Sequence, residues 1–294
     1  MRLVTFQSNS TNEPKAGIVL GDRVAALTAF GPFPETLLEL IRQGPAQCQR
    51  LRQAAAVAPA GSPHLEDVTL LAPIPRPTKN IICLGLNYSA HADESARATG
   101  ADVELPEYPI VFTKAPTSVN DPYADIIFDP QLTEKLDWEV ELGVIVGITG
   151  KGVSPERALE HVFGYTVIND VSARDLQRRH SQFFLGKSLD GACPMGPWIV
   201  TADEIADPQN LELRTYVNDV MKQNGSTADQ IFSVAETISV LSRGMTLEAG
   251  DVIATGTPEG VGFARIPPEY LRDGDVVTCE IEGIGRIQNR VVAV

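Results

Sequence analysis

Three carboxylates have the type and spacing to do chemistry. Glu139 and Glu141 lie two apart in D-W-E-V-E-L-G-V-I-V-G (residues 137–147), and Asp170 closes the run Y-T-V-I-N-D. The first run is rich in Val, Ile and Leu and predicts a buried strand. Alternate side chains of a strand share a face, so Glu139 and Glu141 point one way and Val140 the other. If the two runs are neighbouring strands, the three carboxylates converge on one point. Three oxygen ligands with no His or Cys suit a hard divalent cation, Mg2+ or Mn2+ (with Ca2+ as an in vitro substitute), rather than zinc. A solvated face of an amphipathic strand is the plain alternative. Against it, the same face continues through Gly143 to Ile145 and turns apolar. Two carboxylates one strand repeat apart also repel unless a cation or solvent intervenes. Ser172 and Asp175 make an S-x-x-D capping pattern for a following helix, which leaves Asp170 free for other work.

Other residues could join them. His91 and Glu94, three apart, share a face if their segment is helical; a polar surface helix and an acid–base pair are both open readings. A helix predicted over Ala173 to Phe183 puts Arg174 and Gln177 on one face. Lys187, in F-L-G-K-S, has apolar flanks that suggest partial burial. The run G-T-P-E-G-V-G (256–262), with Thr257, could cradle a carboxylate on its amides or be a tight loop only. It lacks the G-K-[ST] ending of a P-loop. Lys114 and His64 are expected to be solvated, and His161 structural.

Five motifs in this order, G-L-N-Y-x-x-H-x-x-E (85–94), E-x-E (139–141), N-D-V-S-A-R-D (169–175), G-K-S-L-D (186–190) and A-T-G-T-P-E-G-V-G (254–262), carry a resemblance. Together they resemble the fumarylacetoacetate hydrolase superfamily, in its branch similar to 2-hydroxyhepta-2,4-diene-1,7-dioate isomerase, over about residues 73 to 294. The resemblance implies a rolled mixed β-sandwich, usually dimeric, with Mg2+ or Mn2+ on Glu139, Glu141 and Asp170. It implies an enzyme acting on 2-oxo acids through an enolate. Glu94 on a mobile lid would orient His91 as a base, Lys187 would face a developing oxyanion, and Arg174, Gln177 and Thr257 would hold the substrate. With both His91 and Glu94 present, C–C bond hydrolysis of an acylpyruvate is the expected reaction. Isomerisation of a hydroxydienedioate and tautomerisation or decarboxylation of oxaloacetate are the alternatives; a non-catalytic metal-binding module is a distant one. Fumarylacetoacetate hydrolase proper has an extra acidic ligand shortly before its lid histidine. Residues 84 to 90 hold no Asp or Glu, which argues against fumarylacetoacetate as the substrate.

The elements that must position these residues are short. The strand count is high, helices are brief, and regular βαβ alternation is absent, so the expected class is α+β, mainly β. A small α+β unit over residues 1–72, ending at Pro73, Pro75 and Pro77, would precede a catalytic domain over 73–294. Asn218-Asp219 predicts a hairpin turn, and Gly244 a left-handed cap on the helix Val234 to Arg243. The chain has 294 residues, 43% hydrophobic and 21% charged, with a formal net charge of −14. That charge argues against nucleic-acid and anionic-membrane partners. No apolar run reaches the ~18 residues of a membrane span. The four cysteines are scattered without a C-x-x-C, as in a cytoplasmic protein with free thiols.

Overall fold

A computed structural model of the chain describes residues 1–8, 11–100, 102 and 105–294. The fold is α+β and mainly β. Among the described residues one large sheet has eleven strands. Its main path runs Arg23–Ala26, Thr11–Leu20, Arg2–Ser8, Cys193–Thr201, Val162–Asn169, Val140–Val146, Val252–Ala254, Ile81–Gly85, Ile110–Lys114. Strands of the first 72 residues thus continue into the sheet that carries the acidic motif, joined where Arg2 pairs with Val200 and Leu3 with Ile199. A five-stranded sheet, Val220–Ser226, Glu212–Val217, Val276–Ile281, Gly285–Ala293 and Ile126–Phe128, forms the second layer.

The central strand Val140–Val146 shows how alternation builds two cores. Val140, Leu142, Val144 and Val146 enter one core with Leu213, Val277, Ile281 and Ile287 of the second sheet. Ile145 faces the opposite core, with Ile168, Ile199 and the helix residues Leu37, Leu40 and Ile41. A strand buried on both faces reads as a continuous apolar run, so the two acids inside it must be satisfied by something other than water. The strand pairs antiparallel with Val162–Asn169, Val140 opposite Asn169 and Glu141 opposite Ile168. This register brings Asp170, one residue beyond, back beside Glu139, and the Asp170 amide donates to the Glu139 carbonyl at 2.9 Å.

Several local expectations hold. Asn218 and Asp219 both have positive φ, 50° and 63°, as a two-residue hairpin turn requires. Others are corrected. The helix expected over Ala173 to Phe183 ends at Arg179, and after non-helical residues 180–183 a separate short helix, Phe184–Lys187, follows. Its S-x-x-D cap does not form. The Ser172 hydroxyl donates instead to the Asp170 carbonyl at 2.9 Å, and Asp175 accepts from the Thr133 hydroxyl at 2.7 Å. Gly244 is the last residue of its helix, lies outside the left-handed region, and is followed by an extended Met245. The polar stretch Arg97 to Tyr108 lies partly outside the described residues; its first part ends the helix Ser89–Thr99.

Candidate active site

Glu139, Glu141 and Asp170 converge as their strand pairing requires. All three are buried, and each offers an oxygen within 4.8 Å of the others. Glu139 stands just ahead of the strand, Glu141 within it, and Asp170 just past the neighbouring strand. A cleft of about 450 Å3 opens onto the cluster, lined also by His91, Arg174, Gln177, Lys187 and Thr257. Seven of the nine residues expected at the site therefore line this cleft; Asp170 lies behind it against Glu139 and Glu141, and Glu94 meets it through His91. A larger cavity of about 770 Å3 lies away from the cluster, between Asp22, His64 and Trp198. Its volume exceeds the cleft's, but it holds no convergent group of metal-ligating side chains among the described residues.

Opposite charges meet in the cluster. The Lys187 ammonium donates to Glu139 at 2.6 Å and to Asp170 at 2.7 Å. Burial works against this charge, but Asp170 and Glu139 hold the ammonium well above its ordinary range. Burial likewise opposes ionisation of Glu139, and the Lys187 and Arg174 charges overcome it, holding the carboxyl at about 2. Glu141 differs. Burial, reinforced by the charges of Asp170 and Glu139, pushes its carboxyl well above the usual range. Its identified donor is an amide, that of Gly256 at 2.8 Å. Two carboxylates one strand repeat apart thus sit in opposite electrostatic situations, because the cations lie on the Glu139 side.

Lys187 reaches the cluster because the two short helices touch. A Cβ on Gly186 would fall 2.4 Å from the Gln177 amide nitrogen and 2.8 Å from the Ala173 carbonyl oxygen. Only glycine permits that approach, and it carries Lys187 inward to 2% exposure. This burial is more complete than the apolar flanks suggested.

The glycine run 256–262 does cradle carboxylates, and they are the protein's own. Besides Gly256 on Glu141, the Gly260 amide donates to Glu94 at 2.9 Å. The Gly262 and Phe263 amides donate to Asp137 at 2.7 and 3.0 Å. Gly256 has φ +91°, and a Cβ there would meet Asn87 Cβ at 2.8 Å, so the amide reaches Glu141 only from glycine. Thr257 accepts from Gln223 at 2.8 Å while lining the cleft.

His91 and Glu94 lie on the helix Ser89–Thr99, with His91 Nδ1 2.8 Å from Glu94 Oε1. His91 is 6% exposed. Glu94 is therefore held from two sides, by the imidazole and by the Gly260 amide, and it ties the helix to the glycine loop. A carboxylate on Nδ1 fixes the tautomer that leaves Nε2 as the acceptor.

Sequence reasoning missed two groups. Lys114, expected in solvent, is fully buried; it donates to Asp170 at 2.7 Å and to the Val171 carbonyl at 3.1 Å. The strand Ile110–Lys114, antiparallel to Ile81–Gly85, ends on Lys114 and delivers it to Asp170, 56 residues away in sequence. Asp137 is also fully buried and accepts from Arg174 Nε at 2.8 Å. Its signal was present as an acid directly before the apolar E-x-E run, with Arg174 the nearest basic residue after Asp170. His64, expected in solvent, is half-exposed and lies 3.0 Å from both Asp22 and Arg23. His161 serves structure, with its Nδ1 2.8 Å from the Ile148 carbonyl oxygen.

The acidic set fits a divalent cation on the grounds of its own chemistry. Its donors are all oxygen, they are buried, and Glu141 has no cationic partner within ion-pair distance among the described residues. No helix among them is long and apolar enough to cross a membrane.

Comparisons with known proteins show the family. Residues 80–292 match the model of the fumarylacetoacetate (FAA) hydrolase C-terminal family. An oxaloacetate tautomerase of Bacillus subtilis is 47% identical over 88% of this chain and 87% of its own. A mitochondrial oxaloacetate tautomerase of Homo sapiens is 42% identical over 99% of this chain and 92% of its own. Among solved structures, a fumarylacetoacetate hydrolase of Exiguobacterium antarcticum is 44% identical, covers both chains completely and superposes with a TM-score of 0.85. A maleylpyruvate hydrolase of Sphingobium, solved with manganese(II) and pyruvate, is 31% identical over 100% of this chain and 99% of that one, with a TM-score of 0.78. By sequence over most of its length, and by fold over all of it, the chain belongs to the fumarylacetoacetate hydrolase family.

Proposed function

We propose that this protein is a metal-dependent oxaloacetate tautomerase, interconverting the enol and keto forms of a four-carbon 2-oxo diacid. One observation carries the reading: relatives 41–47% identical over 88–99% of the chain bear that activity in their names. Acylpyruvate hydrolysis, expected from the His91–Glu94 pair, has weaker support: the neighbour named for such a substrate, a maleylpyruvate hydrolase, is 31% identical, although a fumarylacetoacetate hydrolase stands at 44%. The same pair serves a proton transfer as well as the activation of water, so its presence does not select between them.

Glu139, Glu141 and Asp170 would hold Mg2+ or Mn2+, which supplies Lewis-acid charge beside the 2-oxo group. The protein's own groups do the rest. His91 Nε2, left as an acceptor by Glu94, lines the cleft and is placed to carry a proton between the substrate's oxygen and its C3. Lys187 offers positive charge to the developing enolate oxygen. Gln177 and Thr257 offer hydrogen bonds to the substrate's polar ends from the cleft wall. Helix Ser89–Thr99, tied down at Gly260, excludes water from the reacting atoms. A homodimer in the cytoplasm completes the reading, on family resemblance.

The test is direct. With Mg2+ or Mn2+ present, the protein should accelerate decay of the enol absorbance of freshly dissolved enol-oxaloacetate well above the buffer rate. Pyruvate release from an acylpyruvate, run in parallel, should be slower. Efficient pyruvate release with no effect on the enol decay overturns the assignment and restores the hydrolase.

A further inference from the structure

An inventory of the positive charges at the cleft shows which are already committed. The Arg174 guanidinium donates Nε to Asp137 at 2.8 Å, pairs with Glu139 at 2.5 Å, and donates another nitrogen to Gln177 at 3.0 Å. Lys187 is held by Glu139 and Asp170, and Lys114 by Asp170 and the Val171 carbonyl. All three are already paired with the protein's own acids. Arg178 is not. It lies four residues after Arg174 on the same short helix, lines the same cleft, and is exposed. Among the described residues no carboxylate lies within ion-pair distance of its guanidinium, and its identified contact is the Phe263 ring, 5.1 Å to the centroid. Arg174 packs on the same ring at 4.5 Å. The ring itself is anchored, because the Phe263 amide donates to buried Asp137. A guanidinium resting on an aromatic ring keeps its planar donor edge available for a carboxylate.

The geometry points to a division of labour along the cleft, and we propose that Arg178 binds the second, distal carboxylate of a 2-oxo diacid. This rests on the reading of the inner end as the site for the carboxylate and 2-oxo group, and it names what the outer end selects. A monocarboxylate 2-oxo acid would fill the inner end and leave Arg178 unpaired. The cleft's volume of about 450 Å3 leaves room beyond the cluster for the rest of a diacid. A charged, bidentate partner on a partly exposed arginine contributes to affinity rather than to the chemical step, so its signature is selectivity and KM.

The experiment compares oxaloacetate with 2-oxobutyrate, which has the same four carbons with a methyl group in place of the distal carboxylate. Their dissociation constants are measured by calorimetry on the Mg2+-loaded protein, wild type and Arg178→Gln, with Arg178→Lys as a second variant. We expect the wild type to prefer the diacid about tenfold or more. Arg178→Gln should collapse the preference to within about threefold by weakening oxaloacetate alone, and Arg178→Lys should restore part of it. Near-equal affinities in the wild type, or a preference unchanged in Arg178→Gln, overturn the proposal. The ratio is read from binding. A protein that selects the diacid through Arg178 yet fails to tautomerise it refutes the proposed reaction and leaves this inference standing.

Discussion

Replacing Glu94 by Gln changes one atom of the carboxylate and poses the site a problem it cannot solve. Glu94 has one oxygen 2.8 Å from His91 Nδ1 and the other 2.9 Å from the Gly260 amide, so both oxygens act as acceptors. Glutamine has one acceptor and one donor. If its oxygen takes the Gly260 amide, its NH2 faces His91 Nδ1 and forces the proton onto Nε2, which removes the base. If its oxygen takes His91, two donors face each other at Gly260, an unsatisfied contact costing about 1–3 kcal/mol. That corresponds to roughly 5- to 150-fold in the closing of the helix over the cleft, at about 1.4 kcal/mol per decade. Either arrangement lowers kcat, by about 10²–10³ if the wrong tautomer dominates. The two are separable. The tautomer fault leaves amide exchange of Ser89–Thr99 protected, whereas the donor clash loosens it. The assay is stopped-flow decay of enol-oxaloacetate alongside hydrogen exchange of that helix. Wild-type kcat with unchanged exchange would refute both the orienting role of Glu94 and its role as a tie.

Other expectations follow from the same structure. EDTA should abolish activity and Mg2+ or Mn2+ restore it. Glu141→Gln should lose metal binding in calorimetry yet keep the metal-free Tm at or above wild type, because it replaces a buried carboxylate without a cationic partner; a Tm well below wild type would contradict this. Gly186→Ala should cost stability, about 1–3 kcal/mol by denaturant titration, although alanine is the better helix former, because its Cβ falls 2.4 Å from the Gln177 amide nitrogen. It should also lower kcat/KM more than tenfold by displacing Lys187, and a stabilised, fully active variant would remove the close-approach argument. The Arg52 hydrogen bond holds Asp203 at about 2, below its ordinary 3.8. The folded state therefore binds this proton less readily, and the stabilisation is present above the ordinary value and lost as pH falls toward the folded one. Wild type and Asp203→Asn should differ in Tm near neutral pH, and the gap should shrink below pH 3.8 and close only near about pH 2. The gap is small, because both partners are about half exposed, and a gap that grows on acidification would reverse the sign.

The acidic cluster is legible in the sequence because strand alternation and antiparallel pairing are short-range rules. Glu139, Glu141 and Asp170 need only two neighbouring strands to meet. Lys114 was not legible, since its burial depends on which strand the edge strand joins and on an acid 56 residues away in sequence. The broken helix after Arg174 was hidden for a similar reason. Periodicity continues through His180, while the close seating of Gly186 on Gln177 demands a second, separate turn. The glycine run was legible as a cradle, but its occupants were not, because Glu94, Glu141 and Asp137 reach it from three different parts of the chain.

That distance along the chain has a thermodynamic consequence. The bonds that complete the site close loops of 115 residues (Glu141 to Gly256), 125 residues (Asp137 to Gly262) and 166 residues (Glu94 to Gly260). A contact of that span exists only when the intervening sheet is formed, so the two-strand unit that brings Glu139, Glu141 and Asp170 together lacks, by itself, the glycine-loop bonds that complete the site. Ion binding is then linked to unfolding of the whole sheet rather than to fraying of one loop. A cation present at 100 times its dissociation constant would raise the free energy of unfolding by about 2.7 kcal/mol. The cell's free divalent metal would thus help set the lifetime of the folded chain as well as its activity.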